Sequence, residues 1–173
     1  MILILHNIRS LHNIGSIFRT ADAVGVEKIY LTGYTSPPVD RFGMFRREIS
    51  KVALGAERIV PWEKQLQITS VIKKLRAKKC SIVAIEQSSD SKSIFNIKWT
   101  SAKLDKTVFI FGNEVLGLNK NILKQTDMVL DLPMQGKKES LNVSVAVGVA
   151  LYVSKAIASI SKDKKGTAEA VPS

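Results

Sequence analysis

The run Phe111-Gly112-Asn113-Glu114-Val115-Leu116-Gly117-Leu118 sets a carboxylate between two glycines. Glycine lets a backbone approach a ligand closely, and a carboxylate can attract a cation or hold a proton. The run follows a β-branched apolar stretch, so Glu114 falls at the carboxyl end of an expected strand, where open α/β sheets bind ligands. A tight strand-to-helix turn with an exposed glutamate accounts for the same residues. A second stretch, Leu132-Pro133-Met134-Gln135-Gly136-Lys137-Lys138-Glu139-Ser140-Leu141-Asn142-Val143-Ser144, leads from an apolar strand through a polar loop to the start of a long apolar helix. Free N–H groups at a helix start can meet an adenine edge, a carboxylate or a phosphate. Ser140 or Asn142 could equally be a simple helix cap. In the third stretch, Asn7 to Asp22, Arg19 lies about a hundred degrees from Phe18 and so beside an apolar stripe rather than within it. It could clamp a phosphate, or pair with Asp22 for a few tenths of a kcal/mol. His6 and His12 have no carboxylate or nucleophile partner in the sequence, and neither is expected to act as a base.

These residues need elements to hold them. Short β-branched runs alternate with segments of helical period, the pattern of an α/β domain built on a mostly parallel sheet flanked by helices. The expected strands are Ile2–Leu5, Lys28–Leu31, Arg58–Pro61, Ser81–Ile85, Thr107–Phe111 and Met128–Leu132. Ile14, Ile17, Phe18, Ala21 and Val24 predict a helix, with Asn13 as N-cap and Gly25 just past its end. Further helices are expected over Leu66–Lys78 and Asn142–Ile160. Gly33–Arg47, with two prolines and two glycines, reads as a loop. Residues 1–161 form one expected domain, and the polar tail 162–173 is expected to be disordered. The first strand is not followed by G-x-G-x-x-G, so a dinucleotide-type phosphate loop is excluded.

Lys and Arg number 26 against 15 Asp and Glu, a net charge of +11 over 173 residues. Such an excess suits a polyanionic partner, although a merely soluble basic protein has it too. Arg41, Arg46, Arg47 and Lys51 flank the irregular loop, and Lys73, Lys74, Arg76, Lys78 and Lys79 crowd one helix end. The single cysteine, Cys80, cannot form an internal disulfide, and no Cys/His cluster has ligand spacing, so no metal is expected and a reducing cytoplasm fits. Met1–Leu5 and Val143–Val153 are apolar but too short for a membrane span.

Together, in this order and spacing, the three stretches resemble the signature motifs of the SpoU/TrmH class of SPOUT (trefoil-knotted) RNA methyltransferases, over roughly residues 2 to 160. The resemblance implies a deep C-terminal trefoil knot, S-adenosylmethionine as methyl donor, and a homodimer whose active site combines both subunits. It implies that Gly112, Leu132, Met134 and Leu141 hold the cofactor, with Ile85 and Glu86 nearby. Asn13, Arg19, Glu114, Ser140 and Asn142 match the polar catalytic set, Arg19 being the residue that activates the ribose hydroxyl. A guanidinium stays protonated in proteins, so that activation is expected to be electrostatic and positional, not proton abstraction. Arg9, Arg41, Arg46 and Arg47 are the expected RNA contacts. The expected activity is ribose 2′-O-methylation of tRNA, with a D-loop guanosine as the first target to test. Ribosomal RNA, and a non-catalytic RNA-binding protein keeping the fold, are the alternatives.

Overall fold

Strands buried on both faces read as continuous apolar runs, because helices cover the two sides of a parallel sheet. That is what the sequence folds into in a computed structural model that describes residues 1–166, with side chains to residue 161. The strands are β1 (Ile2–His6), β2 (Lys28–Thr32), β3 (Trp62–Gln65), β4 (Ser81–Ile85), β5 (Lys92–Ser93), β6 (Thr107–Phe111) and β7 (Met128–Asp131). All pair in parallel, in the order β3-β2-β1-β6-β4-β7-β5. The strands of the C-terminal half stand out of chain order, β6 between β1 and β4 and β7 outside β4, a placement on which a knotted C-terminal half depends.

The helices are α1 (Leu11–Val24), α2 (Arg47–Ala53), α3 (Ala56–Ile59), α4 (Ile68–Ala77), α5 (Ser101–Asp105), α6 (Lys120–Leu123) and α7 (Val143–Gly166). Alternation along β1 sends Leu3 and Leu5 to one face and Ile2 and Ile4 to the other. The first face joins Phe18 of α1, Trp99, and Val147 and Leu151 of α7; the second joins Ile72 and Leu75 of α4 and Ile122 of α6. Gly15 is where α1 meets α2: a Cβ there would lie 2.6 Å from the Ile49 carbonyl oxygen.

Three expectations need correction. The N-cap of α1 is Ser10, whose hydroxyl accepts from the Asn13 N–H at 3.2 Å, and this leaves the Asn13 side chain free for other work. Residues 58–61 are not a strand. Gly55, at φ 95°, starts the short helix α3 there, and the edge strand begins beyond Pro61. Arg47, read as loop, opens α2. As expected, Gly25 ends α1 in the left-handed conformation at φ 73°. The last helix continues to Gly166, and the remainder of the expected disordered tail lies outside the described residues.

Within α7, Val143–Ser161 is long and apolar enough to cross a membrane, with mean hydropathy 1.8. Its buried residues Val143, Val147, Ala150, Leu151, Ser154 and Ala158 recur at three and four, the spacing of a helix laid on a core. Val145, Tyr152 and Ile160 on the same helix are exposed.

Candidate active site

The carboxyl ends of three adjacent strands meet where the register pairs Ile85 with Phe111 and with Leu130. Beyond them opens a cleft of about 340 Å³, whose walls include all six expected cofactor residues: Ile85, Glu86, Gly112, Leu132, Met134 and Leu141. Glu114 and Ser140 line it as well.

Its floor is the loop after β6. Asn113 Oδ1 accepts from the N–H groups of Val115 and Leu116 at 2.8 and 2.7 Å, and the Gly117 N–H returns to the Asn113 carbonyl at 3.0 Å. The turn is so tight that a Cβ on Gly112 would come within 2.7 Å of the Gly117 backbone. Gly117 holds a left-handed φ of 62°, and the Glu86 carboxylate fills the space a Cβ would need there. Glu86 braces this loop, accepting from the Leu118 N–H at 2.7 Å and from the Gln87 N–H at 3.1 Å.

Glu114 ties the loop to the other two stretches. Its carboxylate accepts from the Arg9 and Ser10 N–H groups at 3.3 Å each and from Asn13 Nδ2 at 3.2 Å. Asn13 Oδ1 in turn accepts from Asn142 Nδ2 at 3.1 Å. Asn142 does two jobs, since its Oδ1 also accepts from the Ser144 N–H at 2.8 Å and so caps α7. Burial pushes the Glu114 carboxyl up, but these N–H donors and that of its own backbone outweigh burial and hold it below the ordinary carboxylate range. Glu114 is therefore charged at neutral pH, an acceptor on a cleft whose walls mix the apolar side chains of Ile85, Leu132 and Leu141 with the polar ones of Glu86, Glu139 and Ser140.

A match to the model of the SpoU rRNA Methylase family runs over residues 1–152. The chain belongs to this family. Among curated SpoU relatives, the 23S rRNA (guanosine-2′-O-)-methyltransferase RlmB of Neisseria meningitidis is 30% identical over 87% of this chain and 56% of its own length. RlmB of Escherichia coli K12 is 29% identical over 87% and 58%. The chain thus spans somewhat more than half the length of these SpoU relatives. Of solved structures, an AdoMet-bound rRNA methyltransferase from Sinorhizobium meliloti superposes with a TM-score of 0.78 at 28% identity, over 90% of this chain and 55% of the other. The A. aeolicus TrmH/SpoU tRNA modifying enzyme gives 0.77 at 28%, over 95% and 76%. The parallel sheet described above is the SPOUT fold of these proteins.

Of the expected polar set, Asn13, Glu114 and Asn142 form one hydrogen-bonded chain, and Ser140 stands on the cleft wall. Arg19 does not join them: it is exposed on α1, does not line the cleft, and makes no ion pair with Asp22 or any other acid among the described residues. Arg9, Arg41 and Arg47 are exposed, whereas Arg46 is half-buried and donates through Nε to the Pro37 carbonyl at 3.1 Å, framing the loop before α2. Three functional-looking residues escaped the sequence. Asn113 Nδ2 donates to the Asn7 carbonyl at 3.1 Å and to the Tyr34 hydroxyl at 2.6 Å, a second tie between the first and second stretches beside that of Glu114. Asn113 could have been found as the turn-capping type before Glu114; nothing in the sequence marks Asn7 or Tyr34. His6 also has a settled place, bonded on one ring nitrogen to Thr32 Oγ1 at 2.9 Å and on the other to Asn7 Nδ2 at 3.0 Å. Burial, and then the charge of Lys64, lower its pKa, consistent with a neutral supporting residue.

Proposed function

We propose that this chain transfers a methyl group from S-adenosylmethionine to a ribose 2′-hydroxyl of RNA, as a cytoplasmic enzyme. The observation that carries the reading is the chain Glu114–Asn13–Asn142, which brings side chains from three distant stretches to the rim of one cleft. The cleft fits the cofactor chemically. Ile85, Leu132 and Leu141 offer apolar surface for an adenine, the backbone at Gly112 lines the cleft, and Glu114 supplies negative charge for a cationic sulfonium. When bound, S-adenosylmethionine supplies an electrophilic methyl group.

The chain's own residues then have separable tasks. Glu114 holds Asn13, and through it Asn142, in one orientation, so that the amide groups present fixed dipoles to the ribose. Ser140 faces the same cleft and can hydrogen-bond either ligand. Arg19 stays protonated and steadies the developing negative charge on the 2′-oxygen or the adjacent phosphate. Because Arg19 is exposed away from the cleft of its own chain, it serves the cleft of a second copy. A homodimer also covers Val115 and Leu116 at the cleft's edge, which are 81% and 85% exposed, together with Val145 and Tyr152 on α7.

For the substrate we favour a guanosine of ribosomal RNA over the tRNA first expected, because the RlmB relatives are named for 23S rRNA. The A. aeolicus neighbour, named as a tRNA modifying enzyme, keeps tRNA as the second reading. Incubation of the purified chain with methyl-labelled S-adenosylmethionine and total RNA, followed by nuclease digestion, separates the two. A labelled 2′-O-methylguanosine from ribosomal RNA is expected. Label in tRNA would select the second reading, and label on a base, or none, would overturn both.

A further inference from the structure

The segment from Gly33 to Arg46, between β2 and α2, is built as a finger. Val39 and Phe45 pair in an antiparallel bridge, Asp40 N–H donates to the Met44 carbonyl at 2.8 Å, and Arg46 N–H donates to the Pro38 carbonyl at 2.8 Å. At the tip, Asp40 Oδ1 accepts from the Phe42 and Met44 N–H groups at 2.8 and 2.9 Å, and Gly43 takes the left-handed φ of 79° that the turn requires. All of this backbone order presents apolar side chains to water: Phe42 is 73% exposed, Met44 67% and Tyr34 54%. One exposed apolar residue is ordinary; Phe42 and Met44, held together at one pre-ordered tip, are not.

Two features say what covers it. The rings are paired with arginines, the Arg41 guanidinium 4.7 Å from the Phe42 ring centre and that of Arg58 4.3 Å from Phe45. The single carboxylate of the tip, Asp40, is turned inward onto N–H groups. A ring face flanked by cations suits an unpaired nucleobase, which stacks while the guanidinium meets the neighbouring phosphate; a base inside a duplex has no free face to offer. The finger is also rooted at the cleft, since the Tyr34 hydroxyl accepts from Asn113, one residue before Glu114.

We infer that the Phe42 finger is a stacking platform for an unpaired base close to the methylated nucleotide, so that the enzyme selects loops over helices. The inference rests on the RNA-methylation reading but is read by a different experiment. The chain is titrated with a fluorescein-labelled RNA hairpin carrying an unpaired loop, and with a blunt RNA duplex of equal nucleotide count. Wild type is expected to prefer the hairpin. Phe42→Ala is expected to weaken hairpin binding about 10-fold, the scale of one base–aromatic stack, with duplex binding within about 2-fold of wild type. Phe42→Trp should keep the preference, and the melting temperature of both variants should match wild type, as befits an exposed tip. Equal loss for both RNAs, no loss for either, or dissociation of the dimer in Phe42→Ala would overturn the platform, the last by assigning the patch to a second copy of the chain. Methyl transfer that persists in Phe42→Ala at saturating RNA would leave the enzymatic reading standing whichever way this falls.

Discussion

Arg19 and Glu114 face different demands, and their surroundings show it. Glu114 is held by N–H donors on several sides, which fixes both its charge and its direction. Arg19 is a long side chain free of any acid among the described residues, as suits a group whose partner arrives with substrate. We expect Arg19→Ala to lower methyl transfer by about 100-fold or more, the usual cost of removing one donor to a developing oxyanion, while binding of S-adenosylmethionine by calorimetry stays unchanged. Turnover near wild type would remove Arg19 from the mechanism. Glu114→Gln keeps the shape but loses the charge that gathers Asn13 and the Arg9 and Ser10 N–H groups, and should also lose transfer by about 100-fold. Because its donors hold the Glu114 carboxyl below the ordinary carboxylate range, its contribution to stability is complete above the unfolded-chain value and fades only as pH falls through the lower folded one.

Elements, in contrast, are held by packing and by a few charged clamps. Gly15 belongs to the first motif but does not reach the cleft; it is the contact that lets α1 lie against α2. Gly15→Ala should therefore destabilise the fold by about 1–3 kcal/mol through overpacking, measured by urea denaturation. At the sheet edge, Glu63 of β3 accepts from Lys28 of β2 at 2.6 Å and from Lys74 of α4 at 3.2 Å. The bond from Lys28, then that from Gln65, bring its pKa down to about 2. A lowered carboxylate stabilises above its unfolded value and loses that stabilisation as pH falls through the folded one, so the clamp weakens between about 4.5 and 2. The pair is partly exposed, and Glu63→Gln should cost no more than about 1 kcal/mol at pH 7. The difference between thermal melts of the two proteins should shrink steadily from about pH 4.5 down to about pH 2; a difference that stays at its neutral-pH size over that range would assign the effect to something other than charge.

The same contrast explains what could be read in advance. Strands β1, β4 and β6 were legible nearly to the residue because burial on both faces leaves nearly continuous apolar runs. Edge strand β3 is polar, Trp-Glu-Lys-Gln, and its neighbour Ile59-Val60 carried the apolar signal instead, so the strand was expected too early. Helices α2, α3, α5 and α6 are each seven residues or shorter, too brief for a period to show. In the site, Glu114 and Asn142 stood out as polar residues at element ends, while Tyr34 and Asn7 meet Asn113 only through the tertiary fold.

The whole molecule poses the question of which subunit supplies which group. Asn13, Glu114 and Asn142 of one chain meet at one cleft, yet Arg19 of that chain, less than two turns along α1 from Asn13, stands in solvent. A two-fold dimer resolves this if each Arg19 completes the opposite cleft. The arrangement has an arithmetic consequence. Suppose Arg19→Ala and Glu114→Gln subunits, each inactive alone, are unfolded and refolded together in equal amounts. About half of the dimers are then mixed, and in each mixed dimer one cleft pairs an intact Glu114 with an intact Arg19 while the other has lost both. Transfer should return to about one quarter of wild type. If each cleft instead uses its own Arg19, every cleft in the mixture carries one lesion, and activity stays at the level of the separate variants. The recovered rate thus counts the chains that contribute to one site.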